Sequence, residues 1–407
     1  MLTGSTSLES FWQRAHNNLS YVAKSRHRNF WLYELSVWLH VVANTMLAIY
    51  VPILMLQSGF SLADVLLFYV LFHAINTPSN VGAGYLVGYI GARKTIILAT
   101  LFQIAFFVAY AWVIPNSFTS LILLGILAAL YDALYYTASM YLFMHTTIDI
   151  EQTGKNTGIL HTVIRSAGII GPIIGSSILI LGGNSLWVIM VVIFVFFCSL
   201  LPLLWISLEQ GERVAMMPFG EFIRMPTVLT HHLSLGLFKI HEVSSGVIWP
   251  IFIFLFFGTI ESVAVLALLV PGVALVISYF SGYIRPHRRY SFIAGSALIV
   301  ALIWIGRIFF EDASWYYFSV VLATMVMIFM QVPIDANIFR IGNQTNALTT
   351  AVMKNMVSMG TKTLLFLILY LVAISFSAKF AVAATALILL ALLSFALAYR
   401  EYYIAKS

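Results

Sequence analysis

The chain has 407 residues, 61% of them hydrophobic and only 9% charged, where soluble domains carry about a quarter charged residues. That composition describes a polytopic membrane protein. The net charge of +6 does not mark a nucleic-acid surface, because the bases gather in alternate loops. The single cysteine, Cys198, stands in an apolar run, which excludes an intramolecular disulfide and a cysteine-based metal site.

Residues 1–29 are polar and carry Arg14, Lys24, Arg26 and Arg28. They lack the short apolar core and small-residue cleavage site of a secretory signal, so they are expected to form a cytosolic N-terminal segment. Apolar runs able to cross a hydrocarbon core of roughly 30 Å then begin near Phe30, Leu62, Thr95, Phe118, Thr157 and Leu186. Others begin near Thr227, Ser262, Tyr290, Trp315, Ala351 and Lys379. Only helices satisfy their own backbone there, so the expected fold class is an all-α polytopic membrane protein of twelve transmembrane helices.

The longest internal polar stretch, "LEQGERVAMMPFGEFIRMP" (208–226), divides a six-helix bundle at 30–207 from another at 227–404, with a short tail at 405–407. One set of loops receives Arg93 and Lys94, Lys155, Arg213 and Arg224, Arg285, Arg288 and Arg289, Arg340, and Arg400 with Lys406. The other receives mainly Asp64, Glu261, Glu311, Asp312 and Lys379. By the positive-inside rule both termini are cytosolic in a multi-pass plasma-membrane (inner-membrane) protein.

The two halves repeat. "GYIGARK" (88–94) returns as "GYIRPHRR" (282–289), Pro52 as Pro250, Pro78 as Pro271 and Arg165 as Lys362. All four pairs stand close to half the chain length apart and in the same order. Both copies begin on the same side, so the symmetry axis runs along the membrane normal.

At this point the sequence resembles the major facilitator superfamily over nearly its whole length. Gly84, Gly91, Arg93 and Lys94 match that family's loop motif between the second and third helices, while Gly88 stands where the motif has an aspartate. The resemblance implies a gating role for Gly84, Gly88, Gly91, Arg93 and Lys94, with the aspartate's charge relay missing. In the fifth span, "GIIGPIIG" supplies Gly168, Gly171, Pro172 and Gly175. This is similar to a motif of proton-coupled antiporters, and small residues at this spacing also serve close helix packing.

A charge inside a membrane costs roughly 2.5–3.5 kcal/mol on insertion scales, so each needs a partner, a watery cavity or a helix end. Glu34, Lys354 and Arg307 lie near span ends and are expected to snorkel or pack. Asp132, Arg165, Lys239, Glu242 and Lys362 lie deeper. Asp132 shares a helical face with Tyr135 and Ser139, His161 with Arg165, Lys354 with Lys362, Lys239 with Glu242 and Trp249, and Gln331 with Asp335. The resemblance implies that Asn44, Asp132, Glu242 and Gln331 face one central cavity.

The expected substrate-binding residues are therefore Asn44, Tyr135, Tyr136, Arg165, Lys239, Trp249, Gln331 and Lys362, with Glu242, Asp132 and Asp335 as candidate proton-coupling acids. A bland alternative is that Asp132–Arg165 and Lys239–Glu242 are fixed salt bridges. The scattered histidines suggest no metal site.

The sequence has no HExxH, GxSxG or P-loop, so no catalytic residue, enzyme activity or cofactor is expected. The reading is a monomeric secondary transporter in the lipid bilayer. It moves a small-molecule organic solute by alternating access, driven by protons, without nucleic acid. Substrate charge stays open. The alternatives are an exporter of drugs or lysolipid-like molecules on the same fold, and a non-transporting receptor or scaffold.

Overall fold

The computed structural model describes residues 27–47, 50–112, 117–147, 152–180, 185–206, 214–225, 228–285, 288–310 and 312–375. The helix expected from Lys379 and both chain ends lie outside these residues. Among the described residues every regular element is helical. The first span is α1 (27–45) and α2 (Val51–Gln57), followed by α3 (Leu62–Ile90), α4 (Ala92–Trp112), α5 (Phe118–Thr146), α6 (Thr153–Ile180) and α7 (Ser185–Leu204). After a short α8 (Phe219–Arg224) come α9 (Val228–Val243), α10 (Trp249–Phe257), α11 (Ile260–Ser281), α12 (Arg289–Phe309), α13 (Ala313–Gln344) and α14 (Ala347–Ser375). Nine helical stretches among the described residues are long and apolar enough to cross a membrane.

Local chemistry sets the ends. Ser61 Oγ accepts the Asp64 N–H while the Asp64 carboxylate accepts the Ser61 N–H, a reciprocal cap that starts α3. Ser117, Thr259 and Asp312 cap α5, α11 and α13 in the same sense. Gly91, at φ 88°, turns α3 into α4, a left-handed conformation that a side chain resists.

In each half the first span meets its proline in the first turn of a helical segment. Pro52 sits in the first turn of α2, and Pro250 in the first turn of α10, directly after a π-helical turn at Ser244–Ile248. A proline deep in a continuous helix removes a hydrogen bond and clashes, at about 3 kcal/mol. In the first half α2 starts at the proline, whereas in the second the backbone stays helical from Val228 to Phe257 and the π turn falls where Pro250 leaves a hydrogen bond unmade.

In the first half α5 packs between α3 and α4, with α4 on α7; in the second α13 packs against α11, α12 and α9, with α9 on α14. The halves meet along α3–α14 and α6–α11, with α13 also reaching α6. At the end that carries the basic loops, α6 and α11 cross on bare backbone: a Cβ on Gly158 would lie 2.9 Å from the Gly282 Cα. At the opposite end α2 touches α10. The central layer lies between these two closures.

The segment Val214–Pro218 runs as a strap across the basic end of the α3–α14 seam. The Met217 N–H donates to Thr349 Oγ1 at 2.7 Å, and Asn346 Nδ2 donates to the Ala215 carbonyl at 3.0 Å. A Cβ on Gly88 would sit 2.5 Å from the Val214 carbonyl oxygen, and one on Gly84 equally close to Met216 Sδ. The two matching glycines of the repeat thus face different partners: Gly88 the strap, Gly282 a helix of the other half.

Candidate functional site

Three hydrogen-bonded groups of intramembrane polar residues occupy the layer between the halves. The first crosses from α9 to α6. Lys239 Nζ donates to Glu242 Oε2 at 2.6 Å, Gln331 Nε2 donates to Glu242 Oε1 at 3.1 Å, and Arg165 Nη2 donates to Gln331 Oε1 at 2.7 Å. Gln331 therefore uses both ends of its amide, joining the carboxylate of one half to the guanidinium of the other.

The second group lies one helical turn nearer the basic end. Asp335 Oδ2 accepts from His161 Nε2 at 3.0 Å, and Oδ1 faces Lys354 Nζ at 2.8 Å. These three side chains come from α13, α6 and α14, and all are buried. Lys354 also lies over the Phe339 ring, 4.4 Å from its centroid.

The third group is neutral except for its last member. Asn355 Nδ2 donates to Thr137 Oγ1 at 3.1 Å, Thr137 Oγ1 to Asn80 Oδ1 at 3.0 Å, and Asn80 Nδ2 to Asn76 Oδ1 at 2.6 Å. Asn76 Nδ2 then donates to Asp132 Oδ2 at 2.8 Å. This ladder runs from α14 through α5 and α3 to the acid.

Lys362 stands apart. It is half-buried on α14 and has no side-chain hydrogen bond or ion pair among the described residues. Its charge lies within electrostatic reach of both Glu242 and Asp132. Tyr136 lies within the same reach of those two acids. Counting charged groups in this layer, Arg165, Lys239, Lys354 and Lys362 face Asp132, Glu242 and Asp335, leaving one cation in excess. Among the described residues no three His, Cys, Asp or Glu side chains gather as a metal would require.

Other expected site residues point elsewhere. Asn44 accepts from Gln103 Nε2 at 2.8 Å, so its amide is engaged by α4 inside the first half. Tyr135 stacks on His40 with centroids 3.7 Å apart, and Tyr131 shares a 2.7 Å hydrogen bond with His40 Nε2. Trp249 is fully buried in the second half beside Trp304 and Tyr316. Asp132 and Arg165 take separate partners, Asn76 and Gln331, instead of each other, while the Lys239–Glu242 pair is present.

The helix-end residues do not snorkel. Helix α14 starts at Ala347, earlier than expected, which carries Lys354 two turns inward to Asp335. Arg307 is 2% exposed, lies between the rings of Trp249 and Trp304 at 3.9 and 4.4 Å, and donates from Nε to Ser319 Oγ at 2.8 Å. Glu34 is 1% exposed, and neither of its carboxylate oxygens has a hydrogen-bond partner among the described residues.

The fifth-span motif packs α6 against α1. A Cβ on Gly171 would collide with Thr45 Oγ1 and the Val42 carbonyl, and one on Gly175 would lie 2.6 Å from the Met46 carbonyl oxygen. Gly168 and Pro172 are buried in the same helix. In the basic loop, Gly91 makes the turn and Arg93 Nη1 reaches the Leu204 carbonyl at 3.4 Å. Lys94 is exposed.

The sequence reading overlooked Asn76, Asn80, Thr137 and Asn355. The available signal was the pair Asn76 and Asn80, four apart on one face of a span, since amides in hydrocarbon seek partners on other helices.

The Major Facilitator Superfamily model matches residues 33–361. No curated protein matches the chain significantly. Among solved structures, the human organic anion transporter MFSD10 (TETRAN) superposes with a TM-score of 0.68 at 12% identity, covering 92% of this chain and 99% of that one. A bacterial homologue of the iron transporter ferroportin, in an outward-facing state, superposes with a TM-score of 0.67 at 13% identity, covering 91% and 98%. Likenesses at such identity establish the fold, and the family match covers most of the chain: this protein belongs to the major facilitator superfamily and is a multi-pass membrane transporter.

Proposed function

We propose that the chain is a proton-coupled secondary transporter of a small organic anion. It works by alternating access across the plasma membrane, with its basic end and both termini in the cytosol. The observation that carries the anion reading is Lys362, a half-buried cation with no hydrogen bond or ion pair among the described residues, in a layer where four cations face three acids. Leaving a cation unpaired in the membrane is costly, and a bound anion offsets that cost.

The binding chemistry uses the residues already in place. Lys362 meets the anionic group of the solute, while Lys239 and Arg165, tied through Glu242 and Gln331, provide two further cations across the seam. A solute that draws Lys239 away loosens its hold on Glu242, and a carboxylate that loses its cation takes up a proton more readily. Solute and proton binding are then linked through one lysine. The halves rock about this layer, opening first one closure and then the other.

The contacts of Gly171 and Gly175 account for the fifth-span motif by packing. That motif therefore gives the drug-exporter alternative no separate support.

Uptake into proteoliposomes, with organic anions, zwitterions and cations offered with and without a pH gradient, tests the reading. It predicts accumulation of an anion that depends on the pH gradient. Accumulation of a cation, or uptake indifferent to pH, would contradict the anion or the proton half respectively.

A further inference from the structure

The second copy of the repeated motif, Gly282 to Arg289, carries more positive charge than the transport layer uses. Of its arginines, Arg289 is buried and donates to Asn337 Oδ1 at 2.9 Å, which ties α12 to α13. Arg285 and Arg288 are exposed, and neither guanidinium has a hydrogen bond or ion pair among the described residues. They line a pocket of about 410 Å³ together with Phe280, Tyr283, Ile284 and Phe292.

Three of those lining residues are large aromatics facing outward from the bundle: Phe280 is 65% exposed, Tyr283 52% and Phe292 39%. Tyr283 also shares a 2.9 Å hydroxyl hydrogen bond with Tyr279. The hairpin between α11 and α12 stands at the basic end of two membrane spans. Its aromatics stand at the ends of two apolar helices and its two arginines in the basic loop between them, an order that in a bilayer puts rings at the interface and cations among the headgroups. Aromatic rings at that depth and arginines beside it match the two parts of an anionic phospholipid.

We propose that this pocket is a binding site for an anionic glycerophospholipid of the adjoining leaflet. Arg285 and Arg288 hold the headgroup phosphate, and Phe280, Tyr283 and Phe292 lie against the glycerol and upper acyl chain. A soluble phosphate ester would satisfy the arginines but leave the aromatic wall without an occupant, so the lipid is the ligand that uses the whole pocket. The site is separate from the solute layer: no hydrogen bond or ion pair joins Arg285 or Arg288 to that layer's residues among the described residues.

The test uses the purified full chain in nanodiscs of phosphatidylcholine containing a minor fraction of phosphatidylglycerol, with retained lipid read by native mass spectrometry after gentle release. A basic residue near an anionic surface is worth about 1 kcal/mol, or roughly fivefold in occupancy. Wild-type protein should retain phosphatidylglycerol preferentially. Arg285→Gln and Arg288→Gln should each lower that preference roughly fivefold, and Arg288→Lys should lower it less. Phe280→Ala should reduce retention of lipid while leaving the remaining preference for the anionic headgroup.

Raising the salt in the wild-type sample should weaken the preference without any substitution, because exposed charges are screened. No preference in the wild type overturns the proposal. So does an unchanged preference in Arg285→Gln and Arg288→Gln protein of normal thermal stability. Complete displacement of the lipid by millimolar glycerol phosphate would instead identify a site for a soluble anion and overturn the lipid assignment.

Discussion

The two halves solve the problem of buried polarity differently. Asp132, the central acid of the first half, is met by an amide at the end of a neutral ladder, Asn355–Thr137–Asn80–Asn76. Glu242 and Asp335, two buried acids of the second, are met by lysines of their own half, with Gln331 of the same half on Glu242 and His161 of the opposite half on Asp335. A neutral ladder has no charge to exchange and makes a fixed wall. A carboxylate held by a lysine can release that lysine to another anion. The fixed wall thus lies around Asp132, reaching to Asn355 of the second half, and the exchangeable contacts lie at Glu242 and Asp335.

The sharpest way to break this comparison is to remove one acid. Asp335→Ala leaves Lys354 buried without its counter-ion, and losing one partner of a buried pair typically costs about 3–5 kcal/mol. Thermal unfolding in detergent should show a large drop for Asp335→Ala. Much of it should return in the double variant Asp335→Ala with Lys354→Met, which removes the stranded charge. If the double variant is no more stable than the single, the pair is not what holds this layer together.

A second contrast sets the repeated glycines against each other. Gly282→Leu drives a side chain into the Gly158 backbone where α6 and α11 cross, and overpacking of this kind costs about 1–3 kcal/mol. Well-expressed Gly282→Leu protein should lose transport, with Gly282→Ala intermediate. Gly88→Leu pushes only against the strap at Val214, which can move aside more readily than a helix. It should retain more uptake than Gly282→Leu. The reverse order would mean that the strap, and not the glycine crossing, closes the basic end.

The smallest expected effect lies in the neutral ladder. Asn76→Ala leaves one Asp132 oxygen without its amide, a loss of about 1–3 kcal/mol if water does not replace it. It should lower stability while leaving the pH dependence of transport close to that of the wild type. A shifted pH profile in Asn76→Ala would move the proton-linked chemistry into the first half.

Much of the architecture was legible because each level of the sequence agreed. Apolar length gave the spans, with Leu62 and Phe118 as helix starts. The repeated prolines, Pro52 and Pro250, stand at matching places in the first turns of α2 and α10. The central layer was legible in part: the spacing of Lys239 and Glu242 on one helical turn is enough to pair them, and they do pair.

What spacing cannot give is rotation about the helix axis. Asn44 and Glu242 occupy matching places eight residues before their prolines, yet Asn44 turns to Gln103 and Glu242 to Gln331. Depth was misread where a span began early, as for Lys354. Arg307 looked like a surface anchor, but it lies between two tryptophans brought together by tertiary packing from α10 and from its own helix. A sequence window does not contain that information.

The central claim is that Lys362 is the cation left open for the solute. Its most direct test is equilibrium binding of the best transported anion to purified wild-type, Lys362→Arg and Lys362→Gln protein, with thermal stability checked in parallel. A hydrogen bond to a charged group is worth about 1.5–3 kcal/mol, so Lys362→Gln should weaken binding by roughly ten- to a hundredfold, and Lys362→Arg should restore part of it. Undiminished affinity in stable Lys362→Gln protein would contradict the account and place the anion on Arg165 or Lys239 instead.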